Sequence, residues 1–536
     1  MYDNALIATI ARTRRHNIGD LLWRTAARFP SKTAIVYGQL RQTYAELDKL
    51  VNRTANALTE RGVQKGDRIA LLSHNNHSFV VAYFALARLG AISVPINFML
   101  GPTEVAYILG HAGATGMIVE DTLLTTAKLT IEAAGAERSV RVRGVIGEHG
   151  TGTPGGWESL QTWMEHPDAT APDVTLADDD PLQLLYTSGT ETRPKGAILS
   201  GRSLIAQYVS CIVDGQMSVN DVEIHSMPLY HSAQLHCFLT PGIYLGATNI
   251  TLPGPDPAAI LAAIEKERAT KLFCPPTVWI GLLRHPDFDA RDLSSLAKGY
   301  YGASVMPVEV LKEMSRRLPN VRLFNFYGQT EMAPVATVLA PEDQARKPGS
   351  AGRPGVNVET IIVDNDDRPV PPGTEGEIVH RSPHIMLGYW NDPEKTAEAF
   401  RNGWFHSGDL GVIDEEGYLY VVDRKKDMIK TGGENVASRE VEEAFYAHPA
   451  VAEVAVFGVP HQRWVEAAVA AVILRTGQTA TEEELIAFCR ERLAGYKTPK
   501  YVVIVDKLPK NASGKILKRE LRDTYASLAE TEKGAP

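Results

Sequence analysis

Between roughly residues 20 and 340, short unbroken apolar runs alternate with stretches in which apolar residues recur every three or four positions. Unbroken runs of four to eight apolar residues predict buried strands, and the 3.6-residue period predicts helices packed against them, so the pattern predicts an α/β fold. RIALLSHN (68–75) reads as a strand and FVVAYFALARLG (79–90) as the helix after it, ending at Gly90. In TYAELDKLVNRTANAL, Thr43 and Glu46 have the spacing of a capping box, which starts a helix. QLLYT (183–187) reads as a strand leading into YTSGTETRPKG (186–196). Carboxyl ends of strands are where α/β sheets bind ligands.

The pattern changes twice. GEHGTGTPGG (147–156) and DATAPDVTLADDDP (168–181) read as exposed connections, because glycine, proline and acid dominate them. DNDDRPVPPGTEG, near 365–376, precedes an alternating EIVHR and then a glycine-rich run, and predicts a strand-and-turn subdomain. In the last hundred residues, helices at SREVEEAFYAHP and TEEELIAFCRERL (Thr481 and Glu484 again in capping-box spacing) separate strands at EVAVFGVP, AAVAAVIL and YVVIVDKLP. That is a small α+β domain with its own core, beginning near VDRKKDMIK (422–430), a charged stretch suited to an exposed hinge.

Length and charge narrow the function. A chain of 536 residues exceeds one ordinary core, so two or more domains are expected. With a net charge of −9 and dispersed basic residues, the chain lacks the concentrated positive footprint of a nucleic-acid surface. Cys211, Cys237, Cys274 and Cys489 form no C-x-x-C pair, which argues against a zinc site and a secreted disulfide scaffold and fits a reducing cytoplasm. The sequence offers no signal-peptide core and no membrane span.

The opening of YTSGTETRPKG carries the first chemistry. Thr187, Ser188, Gly189 and Thr190 allow backbone N–H groups and hydroxyls to close on an anion, and Lys195 adds a point charge. The spacing is not that of a P-loop, since Pro194 precedes Lys195 and Gly196 follows it. Further polar stretches stand at PLYHS (228–232), YGAS (301–304), NFYGQTEM (325–332), HSGDLG (406–411), DRKKDMIK, GGENV and KNASGKILKRE (510–520), the last read as the end of a strand.

In this order the series resembles the motifs of the adenylate-forming superfamily, acyl-CoA synthetase branch, from about residue 20 to 522. Glu191 and Thr192 depart from that family's commonest phosphate-loop form, TSGTTGxPKG. The resemblance implies a large ATP- and acid-binding domain, 1–423, and a small mobile domain, 424–536, turning about Lys426. It implies ATP, Mg²⁺ and coenzyme A as reactants and cofactors, a small-molecule carboxylic acid as substrate, no nucleic acid, and a soluble protein for which a homodimer is an allowed assembly.

By the same resemblance, the threonine loop holds the β- and γ-phosphates with help from Lys195, Glu331 coordinates Mg²⁺ and Thr330 contacts the α-phosphate. Gly302, Ala303 and Ser304 form the adenine segment with Tyr327 on the base, and Asp409 and Arg424 take the ribose. Lys515 bridges the attacking carboxylate and the α-phosphate, His231 sits by that carboxylate, and Gly432, Gly433, Glu434 and Asn435 line the pantetheine path after domain rotation. YHSAQLHCF lacks the aspartate that would hold an amino acid's ammonium, and CPPTVWIG (274–281) and YYGASVMP (300–307) are uncharged. A hydrophobic acid is therefore expected, with a medium- to long-chain fatty acid as first choice, and an aryl acid or transfer to a carrier protein or amine as alternatives.

Overall fold

The computed structural model describes residues 3–528 apart from 151, 188–192, 305, 426, 432–433, 462 and 512–513, and leaves out the side chain at position 8. Among these residues the strands form four sheets. One runs, in spatial order, Glu158–Ser159, Val142–Ile146, Gly116–Glu120, Arg68–Leu72, Ile92–Pro95, Pro181–Thr187 and Lys195–Ser200. Its neighbours are parallel except the last two, which form the hairpin of the phosphate motif. Parallel strands are covered on both faces, which is why Ile69, Ala70, Leu71 and Leu72 are all apolar and all buried.

The second sheet has nine strands: Arg353–Pro354, Val335–Leu339, Arg322–Gly328, Lys298–Gly302, Lys271–Phe273, Val222–His225, Thr248–Thr251, Thr33–Tyr37 and Leu40–Thr43. The six strands from Arg322–Gly328 to Thr33–Tyr37 are mutually parallel and the edges antiparallel. Inside it, Lys271 and Glu223 form a fully buried ion pair at 2.9 Å, and burial raises Glu223 to about 7. The chain's first strand thus pairs with Thr248–Thr251, more than two hundred residues away, a contact that no local pattern announces.

The third sheet is antiparallel: Glu359–Val363, Gly376–Arg381, Trp404–Ile413 and Phe400–Arg401, with Leu419–Arg424 also paired to Trp404–Ile413. The fourth belongs to the C-terminal part: Glu434–Val436, Ile429–Thr431, Val465–Leu474 and Val451–His461, with Tyr501–Ile504 parallel to Val465–Leu474. Helices Ser438–Tyr446 and Glu482–Arg490 bury Val441, Phe445, Leu485 and Cys489 in its core. Both capping boxes read from the sequence are present, Thr43 with Glu46 and Thr481 with Glu484. All four cysteines are free and buried, and no described helix is long and apolar enough to cross a membrane.

Two local expectations change. The stretch at 422–430 is not simply exposed: Asp423 is buried, and its Oδ2 accepts from the Ser438 backbone N–H and hydroxyl, both at 2.7 Å. Lys515 does not end a strand either. It lies in a turn, where its N–H donates to Asn511 Oδ1 at 2.9 Å and Lys510 bridges to Ile516.

That turn docks on the body of the molecule. Gly514 has φ +78, and a Cβ there would stand 2.5 Å from Thr277 Oγ1, so only glycine fits. Thr277 Oγ1 donates to the Gly514 carbonyl at 3.3 Å. Arg284 likewise reaches the Ala452 carbonyl at 3.2 Å, and Arg439 the Gly349 carbonyl at 3.1 Å.

Candidate active site

The nucleotide motifs meet on adjacent strands. Gly302 ends Lys298–Gly302 in register with Phe326, so Gly302, Ala303 and Ser304 emerge beside Tyr327. A Cβ on Gly302 would lie 2.3 Å from the Phe326 carbonyl oxygen, which excludes any other residue. Ala303 and Ser304 are exposed, Ala303 at φ +64. Asp409 and Arg424 face each other across the third sheet, with Arg424 Nε 3.5 Å from Asp409 Oδ1. Tyr327 donates its hydroxyl to Asp409 Oδ2 at 2.7 Å and so joins the second sheet to the third. Burial, then the Asp409 charge, pushes the Tyr327 phenol far up, so it stays a donor. HSGDLG is part of strand Trp404–Ile413, with Gly408 at φ +73.

The phosphate motif is the mouth of a hairpin. Thr187 pairs with Lys195, while Ser188, Gly189, Thr190, Glu191 and Thr192 lie outside the described residues. Lys195 Nζ sits 5.1 Å from the ring centroid of Tyr389, within cation–π range. Tyr389 bridges Ala197 of the hairpin strand and donates its hydroxyl to Glu331 Oε1 at 2.9 Å. One tyrosine thus ties the phosphate hairpin to Glu331, which is only 9% exposed. The sequence reading missed Tyr389; its signal was LGYWND (387–392), passed over as part of a glycine-rich run. The Glu331 carboxylate and Thr330 hydroxyl are hard oxygen donors of the kind Mg²⁺ takes, and one protein carboxylate suffices for an ion that retains waters.

Across from these groups stands the PLYHS loop. Ser232 Oγ and Thr330 Oγ1 are 3.2 Å apart, which brings the PLYHS loop against the NFYGQTEM motif. The Ala233 backbone N–H donates to His231 Nδ1 at 3.2 Å, which assigns the neutral ring's proton to Nε2. Burial, then the nearby Lys515 ammonium, lowers His231 to about 4. Its Nε2–H is thus a neutral donor near pH 7. Tyr230 is buried, packs edge-on against Phe98 at 5.4 Å, and its hydroxyl makes no hydrogen bond among the described residues. Phe98 in turn lies 4.0 Å from the His74 ring.

The expected groups on the C-terminal part divide. Lys515 sits on a turn docked against Thr277, near enough for its charge to help lower His231. Glu434 and Asn435 stand exposed in the hairpin Ile429–Thr431/Glu434–Val436 at the edge of the fourth sheet, and Lys426, Gly432 and Gly433 lie outside the described residues.

The comparisons with known proteins agree with this layout. The AMP-binding enzyme family model matches residues 22–390, and the AMP-binding enzyme C-terminal domain matches 440–515. A feruloyl-CoA synthase of Amycolatopsis sp is 39% identical over 96% of this chain and 100% of its own. A long-chain-fatty-acid–CoA ligase of Mycobacterium tuberculosis is 35% identical over 95% of this chain and 99% of its own. Among solved structures, the anthranilate CoA ligase AuaEII in complex with anthranoyl-AMP superposes with a TM-score of 0.89 at 29% identity, covering 96% of this chain and 98% of that one. From Tyr327 and Asp409 on the nucleotide side to Lys515 on the C-terminal domain, the site is laid out in a chain that belongs to the AMP-binding enzyme family.

Proposed function

We propose that this protein is an acid–CoA ligase that activates an aryl carboxylic acid with ATP and transfers the acyl group to coenzyme A. The observation that carries the reading is the docking of the turn that bears Lys515 on Thr277, together with the contact between the His231 loop and Thr330. A carboxylate is a poor electrophile, because its charge repels nucleophiles and it offers no good leaving group. Attack of its oxygen on the α-phosphorus of ATP expels pyrophosphate and gives an acyl-adenylate with AMP as leaving group; thiol attack then forms the thioester and releases AMP.

In that scheme the Lys515 ammonium offsets the repulsion between the carboxylate and the α-phosphate. The Nε2–H of His231 donates to a carboxylate oxygen. Asp409 accepts from the ribose hydroxyls with Arg424 beside it, Tyr327 and the Gly302–Ser304 edge bracket the adenine, and Thr330 and Lys195 hold phosphate oxygens. Mg²⁺ bound at Glu331 supplies neutralisation of phosphate charge. For the second step, rotation of the C-terminal part about Lys426 withdraws Lys515 and brings the segment of Gly432, Gly433 and Glu434 to the site.

Tyr230 favours an aryl acid over the fatty acid expected from the uncharged pocket segments. Among the described residues its buried hydroxyl lacks a partner, a costly state that a polar substituent on an aromatic ring relieves and a run of methylenes does not. The family resemblance of this chain to a feruloyl-CoA synthase and an anthranilate CoA ligase supports the same class.

AMP release with Mg-ATP, measured with and without coenzyme A across ferulate, coumarate, cinnamate, benzoate, octanoate and palmitate, tests the proposal. CoA-dependent turnover highest on the hydroxylated aryl acids is expected. A maximum on palmitate would restore the fatty-acid reading, and acid-dependent pyrophosphate release indifferent to coenzyme A would move the acceptor to a carrier protein or an amine.

A further inference from the structure

We propose that Asn75 is a positioning residue for acid activation: from one sheet, its carboxamide fixes the backbone of the loop that carries Tyr230 and His231 on another. The inference rests on the reading of His231 as the donor to the acid. Asn75 is 3% exposed and lies in the connection between strand Arg68–Leu72 and helix His77–Leu89. Its Nδ2 donates to the Met227 carbonyl at 2.8 Å, and its Oδ1 accepts from the Leu229 N–H at 2.7 Å. A carboxamide that grips residues two apart in this way imitates a neighbouring strand. Pro228, between the gripped residues, has no N–H of its own to be held by.

The local fold does not require this side chain. The helix is capped by the next residue, Asn76, whose Oδ1 accepts from the Phe79 N–H at 2.8 Å and whose Nδ2 donates to Ser73 Oγ at 2.8 Å. Asn75 is thus spared from capping and is turned across the interface.

The gripped loop is also held from behind. The Met227 N–H donates to Gln234 Oε1 at 3.2 Å, Gln234 Nε2 donates to His225 Nδ1 at 2.8 Å, and His225 Nε2 donates to Asn249 Oδ1 at 2.9 Å. Met227 is therefore fixed on both sides, and the turn that follows, closed by the His231 N–H on the Pro228 carbonyl at 3.1 Å, starts from an anchored point. Activation needs the donor within a fraction of an ångström of its place, so loosening the anchor costs rate even though Asn75 touches no reactant.

The test is a double-mutant cycle on acid-dependent pyrophosphate–ATP exchange, with ferulate or whichever acid of the panel turns over fastest as probe. Asn75→Ala is expected to lower kcat/KM for the acid roughly 10- to 100-fold while KM for ATP stays unchanged. In a His231→Ala background the same substitution is expected to cost less than about threefold, because groups that act as one unit are not additive. Full additivity, or an equal loss in ATP binding, overturns the inference. A His231→Ala enzyme as active as wild type removes the reading beneath it, and the clamp with it. Should Asn75→Ala fail to fold, Asn75→Asp keeps the size and the acceptor for Leu229 but loses the donor to Met227. A loss confined to acid kinetics is expected there, and unchanged acid kinetics overturn the proposal.

Discussion

Asp409 and Arg424 face each other in register across two paired strands, and Tyr327 reaches Asp409 from the end of a third. His231 has no such frame: it hangs on a loop whose shape is set by Asn75, about 150 residues earlier, and by Gln234 behind it. The nucleotide side is thus built by ladder hydrogen bonds that any sequence of suitable propensity makes, with functional groups added at fixed register. The acid side is built by side chains holding backbone, so its geometry depends on individual residues far from the loop. Nucleotide recognition should resist mutation outside the motifs, whereas acid recognition should fail from a distance.

The largest effect expected is at the point where both sides meet. Lys515→Ala should slow adenylation by about 10²–10³-fold or more while thioester formation from supplied acyl-adenylate stays within a few-fold. Equal loss in both half-reactions would mean that one domain arrangement serves both. Next, Asp409→Ala should raise KM for ATP about 10- to 100-fold and leave KM for the acid nearly unchanged, since it removes a charged acceptor on the nucleotide side alone. If the acid constant rose as far, the two sides would not be separable.

Acid pH sharpens the contrast through buried histidines. Burial lowers His225 to about 3, His231 to about 4 and His236 to about 3, against an ordinary value near 6.5. Between about pH 6.5 and 4 the unfolded chain binds protons that the folded chain refuses, so stability is complete above 6.5 and falls as pH drops through that window. Each such group contributes up to about 1.4 kcal/mol per pH unit. A melting temperature several degrees lower at pH 5 than at 7.5 is expected, with acid kcat/KM flat between pH 6.5 and 8. A kinetic inflection at 6.5 would mean that His231 titrates normally.

Smaller still, Tyr230→Phe should narrow the preference for coumarate over cinnamate by about tenfold or less, the worth of one neutral hydrogen bond. The smallest effect belongs to neither side. Val465 is a β-branched residue at φ +70, a strained conformation, and Val465→Gly should raise stability by about 1 kcal/mol without altering either substrate's kinetics.

The same contrast explains what could be read from the chain. That Tyr327, Thr330, Glu331, Asp409 and Arg424 belong to one cluster is legible because each lies in a short motif at a strand or strand end, and the capping boxes at Thr43 and Thr481 are legible because they are local by nature. The α/β architecture followed from periodicity, but the pairing of Thr33–Tyr37 with Thr248–Thr251 did not, since register between distant strands leaves no local trace. Asn75 was read only as the tail of a strand, and Tyr389 only as part of a glycine-rich run. Their roles come from partners brought close by the fold. The 422–430 stretch looked solvent-facing by charge, yet Asp423 is buried because Ser438 supplies its donors.

The docking of the C-terminal part has a consequence for how the protein can diverge. Arg284, Arg439 and Thr277 all donate to backbone carbonyls, at Ala452, Gly349 and Gly514. A carbonyl survives substitution at its own residue, so position 452 can change without loss of the acceptor. Gly349 and Gly514 are bound more tightly: both have a left-handed backbone, at φ +77 and +78, and at Gly514 the closeness of Thr277 also leaves no room for a side chain. A lineage could therefore change the acceptor at position 452 and keep this contact, provided that the three donor side chains and the two glycines stayed in place.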